Sequence, residues 1–298
     1  MRVQDENLRG VLDPFFCRPV RAILAWHRAF IDLDMDWHCY KPQRHCMMAE
    51  IQIDYRKGST MTYSPVLAIG TAFFEIAVAI WALRGPGRKP IIRTTSAILL
   101  LLAAYQLVEV LVCSQTPAYG FMPQMAFIVV TWLPPLGLLL IAQLSPSQST
   151  INYAISYFML AVAFSIVVWI AFDDRFISDS VCNIVYAKYS SPLPRFQIYA
   201  WFYWLGLFGM VALSALGVRN SSHSEQQTLL KYVLLGSLGF IVPGIIITRF
   251  VAPGEGALPS ILCHLALVLA IFLTRLIAYE RRGEFSHRSE VNRPGRIH

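Results

Sequence analysis

The chain has 298 residues, of which 56% are hydrophobic and 14% are charged. Soluble globular chains have about 45–50% apolar and about 25% charged residues, so this composition excludes an ordinary soluble enzyme, a disordered chain and a collagen-like repeat. The net charge is +7, and the surplus of Lys and Arg lies in short loops and the C-terminal tail. That distribution is typical of loops on the cytoplasmic side of a membrane. We therefore predict an integral membrane protein that contacts membrane lipid and binds no nucleic acid.

Residues 1–60 differ from the rest of the chain. They hold nine Lys and Arg and eight Asp and Glu, without a long apolar run. No apolar stretch precedes a cleavage site, so they are not a secretory signal. Our preferred interpretation is a non-native or disordered extension, with the natural start at Met61 or at Met47 or Met48. The alternative is a genuine N-terminal arm, since residues 19–31 have the apolar spacing of a short helix.

Seven apolar runs follow, and each is close to the roughly 20 residues that cross a hydrocarbon core as a helix. They cover residues 64–83, 94–113, 125–144, 151–172, 200–218, 233–251 and 260–279. A membrane β-barrel would show short alternating segments instead. We predict an all-α, polytopic membrane protein with seven transmembrane helices over residues 61–282, followed by a charged tail over 283–298. Pro134 and Pro135 predict a kink or a break in the third helix.

Lys and Arg residues divide unequally between the two sides that seven spans create. One side carries Arg84, Arg88, Lys89, Arg93, Arg219, Lys231, Arg281, Arg282, Arg288, Arg293 and Arg296. The other side carries Arg56, Lys57, Arg175, Lys188 and Arg195. Because loops rich in Lys and Arg stay in the cytoplasm, we predict a multi-pass protein of the cell membrane, with the N-terminus outside and the C-terminus cytoplasmic. Residues 1–60 would then have to cross the membrane, which favours the non-native interpretation of that stretch.

Four short motifs carry a family resemblance. They are Met-Thr-Tyr-Ser-Pro at 61–65, Tyr-Gln-Leu-Val-Glu at 105–109, Trp-Leu-Pro-Pro-Leu-Gly at 132–137 and Leu-Pro-Ser-Ile-Leu-Cys at 258–263. Together they resemble an uncharacterised bacterial family of small seven-helix membrane proteins. Its members begin Met-Cys-Phe-Ser-Pro, and carry Gln-Leu-hydrophobic-Glu in helix two and Pro-Ser-x-x-Cys at helix seven. Thr62 and Tyr63 stand where the family has Cys and Phe. The resemblance covers residues 61–282 and implies the fold, the membrane location and a start at Met61, but no mechanism.

Two charged residues lie deep in the predicted spans. Glu75 is roughly 16 Å and Arg275 roughly 22 Å from the outer ends of their helices, the first and the seventh. A charge at mid-bilayer costs at least about 2.5 kcal/mol on insertion scales. A closed ring of seven helices would bring these two helices together, so we predict an intramembrane ion pair between Glu75 and Arg275. A proton or ion relay, or an Arg275 that extends to the surface without meeting Glu75, is the alternative.

A second polar cluster is expected in the outer half of the bundle. Gln106 and Glu109 are three residues apart and share one helix face. His264 in helix seven lies at about the depth of Glu109, and Arg249 lies at the outer end of helix six. These four residues predict a site that binds a small polar ligand or a cation, or passes a proton, since His titrates near neutral pH. The alternative is a polar network that only holds the helices together.

Three cysteines, Cys113, Cys182 and Cys263, lie on the predicted outer side, where disulfides form in bacteria. We predict a disulfide between Cys113 and Cys182, which would attach the 173–199 loop to helix two. A bond between Cys113 and Cys263 is the alternative, and either pairing leaves one thiol.

No metal and no cofactor is predicted. His and Cys alternate as adjacent pairs in the N-terminal stretch, but their spacing fits no zinc finger. These residues are His38, Cys39, His45 and Cys46. The acidic residues Asp173, Asp174 and Asp179 lack a calcium-loop motif.

Several seven-helix functions are excluded by missing residues. All five lysines lie outside the spans, so no Schiff base for retinal can form in the last helix, and receptor signatures, phosphate loops and nucleophile elbows are absent. We expect a non-enzymatic sensor or small-solute carrier with a polar pocket in the outer half. The alternatives are a membrane-embedded enzyme that acts on lipid, with Glu109 and His264 as acid and base, and a purely structural assembly partner. The sequence leaves the oligomeric state open.

Overall fold

The structure is a computed structural model that describes residues 65–114, 121–145, 150–173, 175–177, 179–182, 187–221, 224–250 and 258–291. Residues 1–64 lie outside this part of the chain, so the predictions of an N-terminal extension, of its alternative arm and of the start at Met61 stay predictions. The same holds for the His and Cys pairs of that stretch and for the last seven residues.

The described residues form eight α-helices and one two-stranded sheet. The elements are α1 (Val66–Leu83), α2 (Lys89–Ser114), α3 (Met122–Thr131), α4 (Leu133–Leu144), α5 (Thr150–Phe172), β1 (Asp179–Cys182), β2 (Ala187–Ser190), α6 (Leu193–Asn220), α7 (Ser224–Phe250) and α8 (Leu258–Val291). Seven segments are long and apolar enough to cross a membrane, with α3 and α4 counting as one. The predicted all-α, seven-helix, multi-pass membrane fold is confirmed.

The third span is divided at Trp132, where α3 ends and α4 begins. Pro134 and Pro135 have no backbone N–H to continue the helical hydrogen bonds. The Thr131 hydroxyl donates to the Phe127 carbonyl at 2.6 Å, and the Leu136 N–H restarts the ladder by donating to the Trp132 carbonyl at 3.2 Å. The break that Pro134 and Pro135 predict is therefore present.

The strands β1 and β2 form an antiparallel hairpin in which Cys182 lies opposite Ala187. The sequence analysis expected only a long loop here. An aromatic cluster supports the hairpin, because Phe127 contacts both Tyr189 and Tyr199 edge to face with ring centroids 5.2 Å apart. We call the side of the bundle that carries this sheet the hairpin end.

The helix α2 lies at the centre of the described bundle and packs on α1, α3, α4 and α8. Three side-chain contacts keep one register along the antiparallel pair α2 and α8. They join Glu109 to Ser260, Gln106 to Cys263, and Arg88, just before α2, to Glu280. We call the side where Arg88 and Glu280 lie the Arg88 end. The constant register fixes the depth of every polar group on these two helices.

Candidate functional site

The carboxyl group of Glu109 is a fully buried polar group at the hairpin end. Glu109 is on α2 and has no exposed surface. Its Oε1 accepts a hydrogen bond from the Ser260 hydroxyl on α8 at 2.8 Å. Its Oε2 has no hydrogen-bond partner among the described residues, although Tyr105 lies close to the carboxyl group. An ionisable group held in this way inside a membrane is expensive, so it indicates a functional site.

The imidazole of His264 faces the same carboxyl group. Its Nδ1 lies 2.8 Å from the Ser260 carbonyl oxygen, which can only accept, so Nδ1 carries the hydrogen. Its Nε2 lies 3.9 Å from Glu109 Oε1. In the neutral imidazole, Nε2 carries no hydrogen and has a lone pair, and it is the ring nitrogen on the side of the carboxyl group. At 3.9 Å the two atoms are not hydrogen-bonded to each other, but either group can hold a proton beside the other.

Ser260 connects this pair to the hairpin. Its hydroxyl accepts a hydrogen bond from the Ala187 N–H of β2 at 3.1 Å while it donates to Glu109. The same oxygen makes both bonds: it donates its hydrogen to the carboxylate and accepts the N–H of the strand through a lone pair. A change in one of these bonds therefore changes the strength of the other. The sequence analysis did not assign Ser260 a role. Its position one helical turn before His264, in an otherwise apolar segment, is the signal that could have found it.

Gln106 also reaches α8, one level further from the hairpin. Its side-chain amide donates to the Cys263 carbonyl at 2.6 Å, while its Oε1 has no partner among the described residues. The structure thus brings together three of the four residues predicted for this site, Gln106, Glu109 and His264. The side chain of Arg249, the fourth, lies outside the described part of the structure.

The structure joins Cys113 and Cys182 in a disulfide, with Cα atoms 5.7 Å apart. Cys113 is one helical turn beyond Glu109 on α2, so this bond attaches β1 directly above the site. Cys263, the partner in the alternative pairing, is a buried free thiol. An ion pair between Asp173, just after α5, and Arg195, at the start of α6, joins the two ends of the segment that carries the hairpin, at 2.8 Å.

Glu75 and Arg275, predicted as an ion pair, do not meet. The Glu75 carboxyl group is fully buried, and neither of its oxygens has a hydrogen-bond partner among the described residues. Arg275 is exposed on the bundle surface. The reason is the rotation of α8, which presents Arg281 to α1. The Arg281 guanidinium lies 4.3 Å from the centre of the Trp81 ring, and six residues separate Arg275 from it, about 120° around the helix.

The Arg88 end holds a separate polar contact. The Arg88 guanidinium donates to both carboxylate oxygens of Glu280, at 2.5 and 2.8 Å. This hydrogen bonding raises the pKa of Arg88 above its usual value. The bidentate pair closes the α2 and α8 interface at the end opposite to Glu109.

A small cavity of about 30 Å³ lies between α2, α4, α6, α7 and α8. Its walls are almost entirely apolar, and they include Leu102, Gly137, Met210 and Phe240, with Cys263 on the side towards the polar cluster. The described residues contain no group of three His, Cys, Asp or Glu that could hold a metal ion.

The chain matches no family model, and no curated protein is significantly similar to it. The resemblance to the seven-helix bacterial family stays a prediction from the motifs.

Proposed function

We propose that the protein is a non-enzymatic membrane sensor whose ligand is a proton, bound between Glu109 and His264 and read out by the hairpin. The observation that carries this proposal is the orientation of His264. With Nδ1 bonded to the Ser260 carbonyl at 2.8 Å, Nε2 is left to face Glu109 Oε1 at 3.9 Å.

The number of protons on this pair sets its net charge. With one shared proton, the pair is either a neutral acid beside a neutral imidazole or a carboxylate beside an imidazolium, and the net charge is zero in both cases. A second proton leaves an uncompensated positive charge in a site that is 0% exposed at Glu109 and 12% exposed at His264. Buried net charge costs several kcal/mol, so proton uptake must be accompanied by a structural change.

Ser260 supplies the route of that change. A carboxylate is a stronger acceptor than a carboxylic acid, so the Ser260 bond to Glu109 weakens when Glu109 is protonated. The same hydroxyl holds the Ala187 N–H of β2. We therefore expect the hairpin to open more easily as the pH falls.

We propose that the hairpin end faces the outside of the cell and that the C-terminus is cytoplasmic. Arg84, Arg88, Lys89 and Arg93 follow α1 at the Arg88 end, and loops of this kind stay inside. The disulfide at the hairpin end supports the same orientation, because the outer compartment permits it. Labelling of single cysteines in intact cells with a membrane-impermeant maleimide tests this orientation. Reaction of a cysteine replacing Lys188, without reaction of one replacing Arg84, is the expected result.

The test of the sensor is hydrogen exchange of the hairpin amides, measured at several pH values between about 5 and 8. After correction for the intrinsic effect of pH, protection at Ala187 should fall towards low pH by about 5- to 150-fold, the usual size of a coupling between sites. His264→Gln and Glu109→Gln should each remove this pH dependence.

Asp173→Asn is the matched control. It removes the carboxylate whose ion pair with Arg195 joins the two ends of the segment that carries the hairpin, so it should lower protection equally at all pH values. The proposal is wrong if Asp173→Asn and Glu109→Gln change the pH dependence alike, or if the natural protein shows none.

The other functions predicted from the sequence lead to different results. A small-solute carrier would show a response that depends on an added polar solute rather than on pH alone. A lipid-acting enzyme using Glu109 and His264 would convert lipid in vesicles, and both variants would lose that conversion. A structural partner would unfold more easily in both variants without any change in pH dependence.

A further inference from the structure

Glu75 is a buried acid that the proposed sensor does not use. It lies in the middle of α1, on the face that also carries Ala72 and Ala79, and it has no exposed surface. Neither carboxyl oxygen has a hydrogen-bond partner among the described residues. In the membrane interior, a carboxyl group in such surroundings is costly unless it exchanges a proton or meets a moving partner. An intramembrane ionisable residue of this kind is a candidate functional site.

The register between α1 and α2 fixes the depth of Glu75. The Ser96 hydroxyl of α2 donates to the Ala79 carbonyl of α1 at 3.4 Å. Glu75 is four residues before Ala79, so it lies about 6 Å from the Ser96 level towards the hairpin end. On α2 it is therefore at the level of Leu100, about 9 Å from the level of Gln106. In depth, Glu75 therefore lies between the hairpin-end site and the polar residues nearer the Arg88 end.

Polar groups continue on both sides of Glu75. Towards the hairpin end, Gln106 has an unpartnered Oε1, and the free thiol of Cys263 is buried. Towards the Arg88 end, Thr95 is fully buried with an unpartnered hydroxyl. Ser96 lies beside it. Buried groups of this kind can be hydrogen-bonded by water or by a neighbouring side chain that moves.

We propose that Glu75 is a second proton-binding site, through which the protein carries protons across the membrane between the Glu109 and His264 pair and the Arg88 end. The inference rests on the proposed proton site at that pair. The first transfer covers roughly 14 Å of depth and therefore passes through intervening water molecules: an N–H or O–H bond at the pair breaks, protons shift along the water, and an O–H bond forms at the Glu75 carboxylate. In the next, that O–H bond breaks and the proton leaves towards Thr95 and the Arg88 end, so Glu75 returns to its starting state.

The charged and titratable groups around Glu75 are compatible with this role. On α8, the Cys263 thiol is buried at the level of Gln106, Arg275 is exposed, and Glu280 is bound to Arg88. On α2, Tyr105 and Glu109 lie nearer the hairpin. No cation forms an ion pair with Glu75 among the described residues, so none of them holds it permanently as a carboxylate.

Proton flux into vesicles tests the inference. The full chain is reconstituted into liposomes that contain a pH-sensitive dye, and a pH gradient is imposed while potassium and valinomycin clamp the voltage. The natural protein should carry protons faster than the leak of protein-free vesicles. Glu75→Gln should reduce the flux to that leak, and Glu75→Asp should retain part of it.

Two comparisons distinguish proton transport through Glu75 from the proposed sensor and from a structural effect of the substitution. Ser237→Ala removes another buried, unpartnered hydroxyl, on α7, and should leave the flux unchanged. Glu75→Gln should keep the pH dependence of hairpin exchange, which also shows that the variant is folded. Flux in Glu75→Gln equal to that of the natural protein, or a natural protein no faster than empty vesicles, overturns the Glu75 inference and leaves the sensor in place. Flux without any pH response of the hairpin overturns the sensor instead.

Discussion

Replacing Ser260 by Ala removes a hydroxyl that joins the hairpin to the Glu109 site. The substitution leaves the Ala187 N–H without its acceptor and Glu109 Oε1 without its donor. Ser260, Ala187 and Glu109 are all fully buried, so solvent does not replace the lost bonds. Ala occupies less space than Ser and causes no overlap, so the effect reports on hydrogen bonding.

The expected loss of stability follows from these two bonds. A buried backbone donor left without an acceptor costs about 1–3 kcal/mol. Side-chain hydrogen bonds between membrane helices are weaker, about 0.6 kcal/mol on average and up to about 1.7. Together they predict that Ser260→Ala lowers the free energy of unfolding by about 2–4 kcal/mol.

Unfolding by a denaturing detergent in mixed micelles measures this difference, with Ser156→Ala as the matched control. Ser156 is also fully buried, but its hydroxyl donates only to the Asn152 carbonyl of its own helix, at 2.8 Å. Such a bond duplicates a helical one, so the control should change stability by less than about 0.5 kcal/mol. Combining Ser260→Ala with Glu109→Gln should give a coupling energy of about 0.5 kcal/mol or more, because the two side chains share one bond.

The reasoning fails if Ser260→Ala and Ser156→Ala destabilise the protein equally, or if the Ser260 and Glu109 effects are additive. Either result would mean that Ser260 is an ordinary packed residue and that the hairpin is held by other contacts.

Two further predictions concern packing and the disulfide. A methyl group at Gly206 would overlap the rigid ring of Pro134, whereas one at Gly70 would meet nothing within 4 Å. Gly206→Ala should therefore lower the free energy of unfolding by about 1–3 kcal/mol, and Gly70→Ala should not lower it. Equal effects of the two substitutions in thermal unfolding would contradict this prediction. The disulfide closes a sequence separation of 69 residues, for which chain entropy gives a stabilisation of up to about 4 kcal/mol. Cys113→Ser should unfold at a lower temperature than the oxidised natural protein, and a reductant should lower the midpoint of the natural protein only.

The candidate site was partly predictable from the sequence. Gln106, Glu109 and His264 stand out because polar residues are rare in apolar spans, and the rise per residue places them at similar depths. Depth does not give rotation, however, and the prediction for Glu75 and Arg275 needed both. A helix can be turned about its axis without changing the depth of any residue. Depth alone therefore does not show whether two side chains on neighbouring helices point towards each other.

The role of Ser260 and the hairpin were not predicted for a related reason. A serine in a membrane helix usually bonds to its own backbone, as Ser156 does, and its sequence context does not show when it bonds elsewhere. The hairpin strands are four residues each, too short for a clear alternating pattern. Their position depends on the Cys113 bond and on the aromatic cluster around Phe127, whose members come from distant parts of the chain.

By itself, the sequence determined the seven spans, the break at Pro134 and Pro135, and the polar residues that the membrane must accommodate. These follow from local properties, since an apolar segment of sufficient length must satisfy its own backbone groups as a helix inside lipid. Only the tertiary structure decided that His264 and Ser260 both face the carboxyl group of Glu109, and that Glu75 lies buried and apart from Arg275. Neighbouring helices fix these rotations through many small packing contacts, which no single segment of the chain contains.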